Sequence, residues 1–152
     1  MVVQFVVGND MPVSSPRHSN RKKFQMKPTI KAVISPDVQD LSGYSPNEPD
    51  NFGFLLQLLI GPENEEGAES FQVMVCTPKW LSTKHEKTEV VIGRHLLIVF
   101  EYDHENLMSA IDSYVSQCNG HSWEEVALKL ARFGRWEFED YNPYLDLGDD
   151  KG

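Results

Sequence analysis

The sequence predicts an α+β fold, a mostly antiparallel sheet of four to five strands covered by two C-terminal helices in a single domain. Three observations predict it. Residues 52–60 (FGFLLQLLI) and 95–102 (HLLIVFEY) are strand-length apolar runs set off by glycine and proline turn signals. Helical spacing of apolar residues appears late, over residues 103–133, behind two hydroxyl or carboxylate N-cap signals. Strand-like segments follow one another before these helices instead of alternating with them, which argues against a parallel α/β sheet.

Taken in order, residues 29–34 alternate, with Ile30, Ala32 and Ile34 against Lys31 and Val33, and Ser35-Pro36 ends the strand. Residues 37–50 (DVQDLSGYSPNEPD) form a long loop with two prolines and four carboxylates, which Leu41 and Tyr44 are expected to pin down. Residues 52–60 read as a strand buried on both faces. Gly61-Pro62 stops it, and residues 63–69, with four carboxylates and Gly67, read as a solvated loop. Phe71, Val73 and Val75 then share one face of a returning strand. Thr77-Pro78 is a helix start, an N-cap hydroxyl followed by proline at the first helical position, with Trp80 and Leu81 folding back on the hairpin.

After a polar link, residues 89–92 read as a short extended piece, and residues 95–102, apolar on both faces, as a central strand. Asp103 caps a helix through about Cys118 whose stripe is Leu107, Ile111, Tyr114, Val115 and Cys118. Ser122 and Glu125 have capping-box spacing and open a helix with Trp123, Val126, Ala127, Leu130 and Phe133 on one face. Gly134 stops it. Residues 135–139 (RWEFE) alternate aromatic with charged, as a half-buried edge strand does.

The chain of 152 residues carries a net charge of −9, unevenly spread. Residues 1–35 hold six basic side chains against one acidic, and residues 36–152 eight basic against 22 acidic. Three segments follow: a disordered basic arm over 1–25, a domain over 26–141 and an acidic tail over 142–152. The Arg21-Lys22-Lys23 cluster reads as a solvated charge run. An acidic body disfavours nucleic acid, which needs clustered Lys and Arg, and suits a basic partner. No run of about 18–20 apolar residues exists for a membrane span. The apolar start, MVVQFVV, is short and lacks the basic lead of a signal peptide. Cys76 and Cys118 fall on predicted core positions, so reduced thiols and a cytoplasmic location are expected.

Catalytic signatures are missing from the sequence. The five histidines show no HExxH spacing, and no CxxC, GxSxG, GxGxxG or P-loop occurs, so no metal and no cofactor is expected. Glu101, ending an apolar strand, is the best single candidate for a hydrolase acid or a ligand-binding carboxylate. An acidic adaptor is the third class.

Four segments, PDNFGFLLQLLIGP, ESFQVMVCTPKWL, GRHLLIVFEYD and WEEVALKLARFGRWEFEDY, together resemble the immunity protein 8 family of bacterial polymorphic toxin systems, over about residues 31–141. The basic arm is the main departure. The resemblance implies an α+β fold, no catalysis, and a cytoplasmic protein encoded beside a toxin, which it binds and blocks. It transfers no site residues. Charge and exposure nominate the contact instead: Asp37, Asp40, Glu48 and Asp50 in the first loop, Glu63, Glu65 and Glu66 in the second, and Trp136, Glu137, Glu139 and Asp140 at the last strand. The partner expected on this reading is a basic toxin domain, such as a nuclease, whose cleft an acidic inhibitor occupies in place of phosphates.

Overall fold

The structure, a computed structural model, describes residues 24–139. The basic arm, but for its last two residues, and the acidic tail lie outside them. The described chain runs β1 (Pro28–Ile34), β2 (Gly53–Pro62), β3 (Glu69–Cys76), α1 (Pro78–Lys84), β4 (Leu96–Ile98), α2 (His104–Ser116), α3 (Trp123–Leu130) and β5 (Arg135–Trp136). The architecture is α+β, as the sequence predicts, with α2 and α3 covering one face of a five-stranded sheet.

The sheet order is β1-β2-β3-β4, and β5 lies on the same side of β3 as β4. β1, β2 and β3 form an antiparallel meander. β3 then divides its far edge. Phe71 and Gln72 pair antiparallel with Trp136 and Arg135, while residues 74–76 pair parallel with β4. That parallel pair is the departure from an all-antiparallel sheet. It arises because α1 and residues 85–95 carry the chain back before β4 begins, as a crossover must.

Alternation sets the core. In β2 the side chains of Phe54, Leu56, Leu58 and Ile60 are buried, and in β3 those of Phe71, Val73 and Val75. They meet Leu107, Ile111 and Val115 of α2 and Val126, Ala127 and Leu130 of α3. Asp103 caps α2 by accepting from Asn106 N, and Ser122 caps α3 by accepting from Glu125 N. Thr77 caps α1 by accepting from Trp80 N, with Pro78 at the start of the helix. Tyr114 departs from its predicted stripe and stands 39% exposed, its ring tilted 31° against that of Phe133.

The long first loop is held as expected. Tyr44 packs edge-on against Phe52, Phe54 and Tyr102, with centroids 4.9–6.0 Å apart, and the Tyr102 hydroxyl donates to Leu41 O.

Three expectations are corrected. β2 is not buried on both faces: Leu55, Gln57 and Leu59 are only half-buried. The strand at residues 95–102 is neither long nor central; it is three residues at the sheet edge, with Ile98 48% and Phe100 72% exposed. β1 carries a bulge between Ile30 and Ala32, so Ile30 and Val33 reach the core while Ala32 and Ile34 face the other way.

Two predictions follow from the burial pattern. Leu58 is fully buried, so Leu58→Ala lowers unfolding free energy by about 2–5 kcal/mol. Its neighbour Leu59 points to the half-buried face, and Leu59→Ala costs less than about 1.5 kcal/mol. Urea titration compares them, and equal losses would contradict the assignment of faces.

The second concerns the thiols. Cys76 and Cys118 are buried and free, and burial pushes both thiols up from their ordinary value; it does the same to the phenols of Tyr44, Tyr102 and Tyr114. The fold therefore favours the protonated forms. That contribution is whole below the unfolded-state pKa, about 8.5 for a thiol and 10 for a phenol, and is lost as pH climbs past it. A thiol reagent at pH 7.5 should leave the native chain unlabelled and modify both cysteines in urea, and thermal stability should fall above about pH 9. Rapid labelling of the native chain would contradict both.

Candidate partner-binding surface

Titratable side chains of the described residues converge at one cleft, built by Arg94, His95, Glu137 and Glu139. No group of three or more His, Cys, Asp or Glu side chains that could hold a metal occurs among them. Glu101 stands exposed at the rim of a shallow groove of about 510 Å³, lined by Leu97, Ile98, Phe100 and Ala110 among others. It lacks the enclosure that a glycosidase-type acid requires. Cys76, with its thiol raised by burial, is the reverse of an activated nucleophile.

The acidic residues nominated from the sequence fall into three places. In the first loop, Asp37 is part of the scaffold: its Oδ2 accepts from Leu55 N at 2.8 Å, extending the strand pairing past Ile34. Asp40 accepts from Ser42 Oγ at 2.8 Å, and this bond, with the Gly43 amide, holds its carboxyl below the usual range. Glu48 and Asp50 flank Lys79 of α1 at 3.4 and 3.7 Å. In the β2–β3 hairpin, Glu63, Glu65 and Glu66 are exposed, and among the described residues no ion pair reaches them.

The third group sits beside β5. Trp136 is half-buried, its ring stacked on Phe71 at 6.3 Å. Glu137 accepts from Ser70 N at 2.6 Å and its own amide donates to Ser70 O, so it prolongs the β5 ladder. Glu139 pairs through Oε2 with Arg94. Its Oε1 is shut from solvent with no hydrogen-bond partner among the described residues, 3.9 Å from His95 Nε2. That nitrogen lies 2.9 Å from Ala131 O, which can only accept, so Nε2 carries a proton. His95 itself turns the chain into β4 with φ 63°. Ser70, Gln72, Arg94, His95, Arg135, Trp136, Glu137 and Glu139 enclose a cleft of about 760 Å³ where β3 changes partner from β5 to β4. Asp140 lies outside the described residues.

The first loop and the hairpin are therefore at opposite ends of the ten-residue β2. At about 3.3 Å per residue they stand roughly 30 Å apart. What joins them is a surface that sequence reasoning missed, the sheet face away from α2 and α3. Strand register places its residues in rows. Ala32 neighbours Leu59 and Ser70; Ile34 neighbours Gln57, Gln72 and Arg135; Leu55 neighbours Met74 and Leu96; Gly53 neighbours Cys76 and Ile98. None of these belongs to the helix-covered core cluster. At one end the indole of Trp80 lies so close over Gly53 that a Cβ there would sit 2.4 Å from the ring. At the other the hairpin curls over Gly61, where a Cβ would meet the Gly67 carbonyl oxygen at 2.1 Å. The face is a trough closed at both ends.

Glu69, expected in a solvated loop, instead opens β3, and its Oε1 accepts from Trp123 Nε1 and Trp136 Nε1, both at 2.8 Å, tying α3 and β5 to the hairpin. The signal for the trough was present as period-two spacing, but Leu55 and Leu59 on the outward parity hid it.

Comparison with known proteins matches this scaffold at the level of family. No curated protein and no solved structure matches the chain. The family model described as immunity protein 8 matches residues 28–141, which span every strand and helix described above. The chain belongs to the immunity protein 8 family.

Proposed function

We propose that this chain binds a cognate bacterial toxin domain, encoded beside it, and neutralises it by forming a tight complex in the cytoplasm. Membership of an immunity family carries the reading, and the sequence and surface chemistry support it. An inhibitor of this kind requires a stable scaffold and a complementary surface, and no reacting groups. A net charge of −9 and the exposed carboxylates Glu63, Glu65 and Glu66, which no ion pair reaches among the described residues, favour a basic partner over nucleic acid. No helix among the described residues is long and apolar enough to cross a membrane. A toxin domain with a basic cleft, as in a nuclease, is the partner this charge fits best.

Electrostatics then governs the speed of capture. Exposed charges act over about 8 Å at physiological ionic strength, so a cluster at a loop tip steers encounter more than it holds the complex.

Co-expression with the neighbouring toxin domain tests the function. Expected results are survival of the host and a complex that co-purifies. Growth arrest with soluble chain present and no complex would reject it. Replacing Glu63, Glu65 and Glu66 together by Lys should slow association by about tenfold at low salt and flatten its salt dependence, as stopped-flow mixing would read. An unchanged rate would remove the hairpin from the encounter.

A further inference from the structure

We infer that the open edge of β4 is a self-association surface. A second copy of the chain pairs its own β4 there, antiparallel about a two-fold axis at Leu97, so that one sheet continues into the other. This goes beyond the immunity reading, and its test requires no toxin.

Three observations carry it. First, β4 is a bare edge. It pairs with β3 on one side and is the end of the sheet on the other. Met74 N donates to His95 O, and Val99 N donates to Cys76 O. By strand alternation Leu97 also turns its backbone groups to β3, while the N–H and C=O of Leu96 and Ile98 turn away. No hydrogen bond reaches those groups among the described residues. An antiparallel pair centred on Leu97 sets Leu96 opposite Ile98 of the second copy, and Ile98 opposite its Leu96. Both are pairs in which two residues exchange N–H···O bonds, so every open group of the strand is satisfied on each chain.

Second, the edge is apolar and unguarded. Natural sheets blunt a free edge with a charge, a proline or a bulge. β4, Leu96-Leu97-Ile98, has none of these, and its register against β3 is regular. Of the ten exposed large hydrophobic residues among those described, five fall in β4 and its flanks: Val90, Val91, Ile92, Ile98 and Phe100. Ile92 and Phe100, 86% and 72% exposed, stand on either side of the strand. Such clustering on one edge marks a contact surface.

Third, the two ends of the edge complement each other. Shallow grooves of about 530 and 510 Å³ run beside β4 and share Leu97. Arg94 and Arg132 line the first, toward the start of the strand, and Glu101 and Asp103 line the second, toward its end. Arg132 and Glu101 are exposed, and no ion pair reaches either among the described residues. Antiparallel pairing brings the arginine end of each copy to the acidic end of the other.

That complementarity selects a second copy as the occupant, and a two-fold pair closes on itself with no β4 edge left open. The net charge of −9 opposes it weakly, because exposed charges more than about 8 Å apart are screened at physiological ionic strength. Three paired residues from each chain make a small contact, so the dimer belongs to the weak class, with a dissociation constant on the order of 10 μM. Cys76, beside Ile98, and Glu69, at the hairpin, are opposite ends of β3, about 23 Å apart. Pairing therefore leaves Glu63, Glu65 and Glu66 open to another partner.

Sedimentation equilibrium of the full chain, from about 1 to 300 μM, tests the proposal, and a reversible dimer is expected. Ile98→Pro removes an N–H that β3 does not use, and Ile98→Lys places a charge on the edge. Either variant, shown to be folded by circular dichroism, should weaken the dimer at least tenfold. Arg132→Glu or Glu101→Arg alone should weaken it about threefold, and the two together in one chain should restore it. Asp112→Arg, an exposed α2 position outside both grooves, repeats the charge change of Glu101→Arg and should have less than a twofold effect. A wild-type chain that stays monomeric throughout that range, or a dimer that the folded Ile98 variants leave intact, would overturn the proposal. Where neither Ile98 variant folds, the charge exchange decides, and a double variant that fails to restore the dimer overturns it.

Discussion

The eight-residue antiparallel ladder between β2 and β3 is the constraint on which the rest of the fold depends. It places Phe54, Leu56, Leu58 and Ile60 beside Phe71, Val73 and Val75 as a single buried stripe. Each such side chain contributes about 1.5–3 kcal/mol when removed from water, so this stripe is the main source of stability. Everything else either lies on the stripe or is tied to its ends. The helices α2 and α3 lie on it. At one end the Phe52–Phe54–Tyr44–Tyr102 cluster fixes the first loop; at the other Glu69 gathers the indoles of Trp123 and Trp136. A half-buried carboxylate accepting two N–H donors satisfies groups that would otherwise be stranded on an apolar surface. It also makes the placement of α3 and β5 depend on the hairpin.

Much of this was legible in the sequence, and the failures have a common cause. Caps and turns are local chemistry, so Thr77, Asp103 and Ser122 were placed correctly, and so were the strand stops at Ser35 and Pro62. The core residues of β3, α2 and α3 followed from period alone, except Tyr114, whose neighbour Val115 took the core position. What failed was the reading of strands rich in leucine. Residues 53–60 place apolar side chains on both parities, which is the pattern of a strand buried twice, and only the packing reveals otherwise: α2 and α3 lie on one side, and α1 reaches the other at Gly53 through Trp80. Residues 95–102 failed for a related reason. Residues 96–100 are apolar, but the parallel register sets Ile98 beside Cys76, the last residue of β3, so residues 99–102 have no strand left to pair with, while β5 takes Phe71 and Gln72 at the other end. That register joins segments some 20 positions apart in sequence, and no local pattern encodes it.

The candidate contact residues were legible only as charge. Composition separates them from the core but cannot tell a free carboxylate from one already engaged. Asp37 completes a strand, Glu137 prolongs another, and Glu139 is held by Arg94, whereas Glu63, Glu65 and Glu66 remain unpaired within the described residues. These roles are set by partners 18 to 67 positions away for Asp37 and Glu137. Substituting an engaged carboxylate therefore disturbs the scaffold, and substituting a free one disturbs only the field. Charge reversals that do not respect this distinction would confuse lost folding with lost binding.

An inhibitor must be both fast and slow, quick to capture its toxin and reluctant to release it, and different parts of a surface supply the two. Exposed rim charges raise association rates but hold weakly, because solvent and salt screen them and long side chains must be ordered. Desolvated apolar contacts hold, because leaving requires that water return to the whole area. In this chain the carboxylates Glu63, Glu65 and Glu66 crowd one hairpin, and the outward sheet face beside it mixes Leu55, Leu59 and Met74 with Gln57 and Gln72. Neither α2 nor α3 lies on that face, and α1 reaches it through Trp80 over Gly53. Since α2 and α3 already bury the central stripe, the scaffold does not require a further helix there.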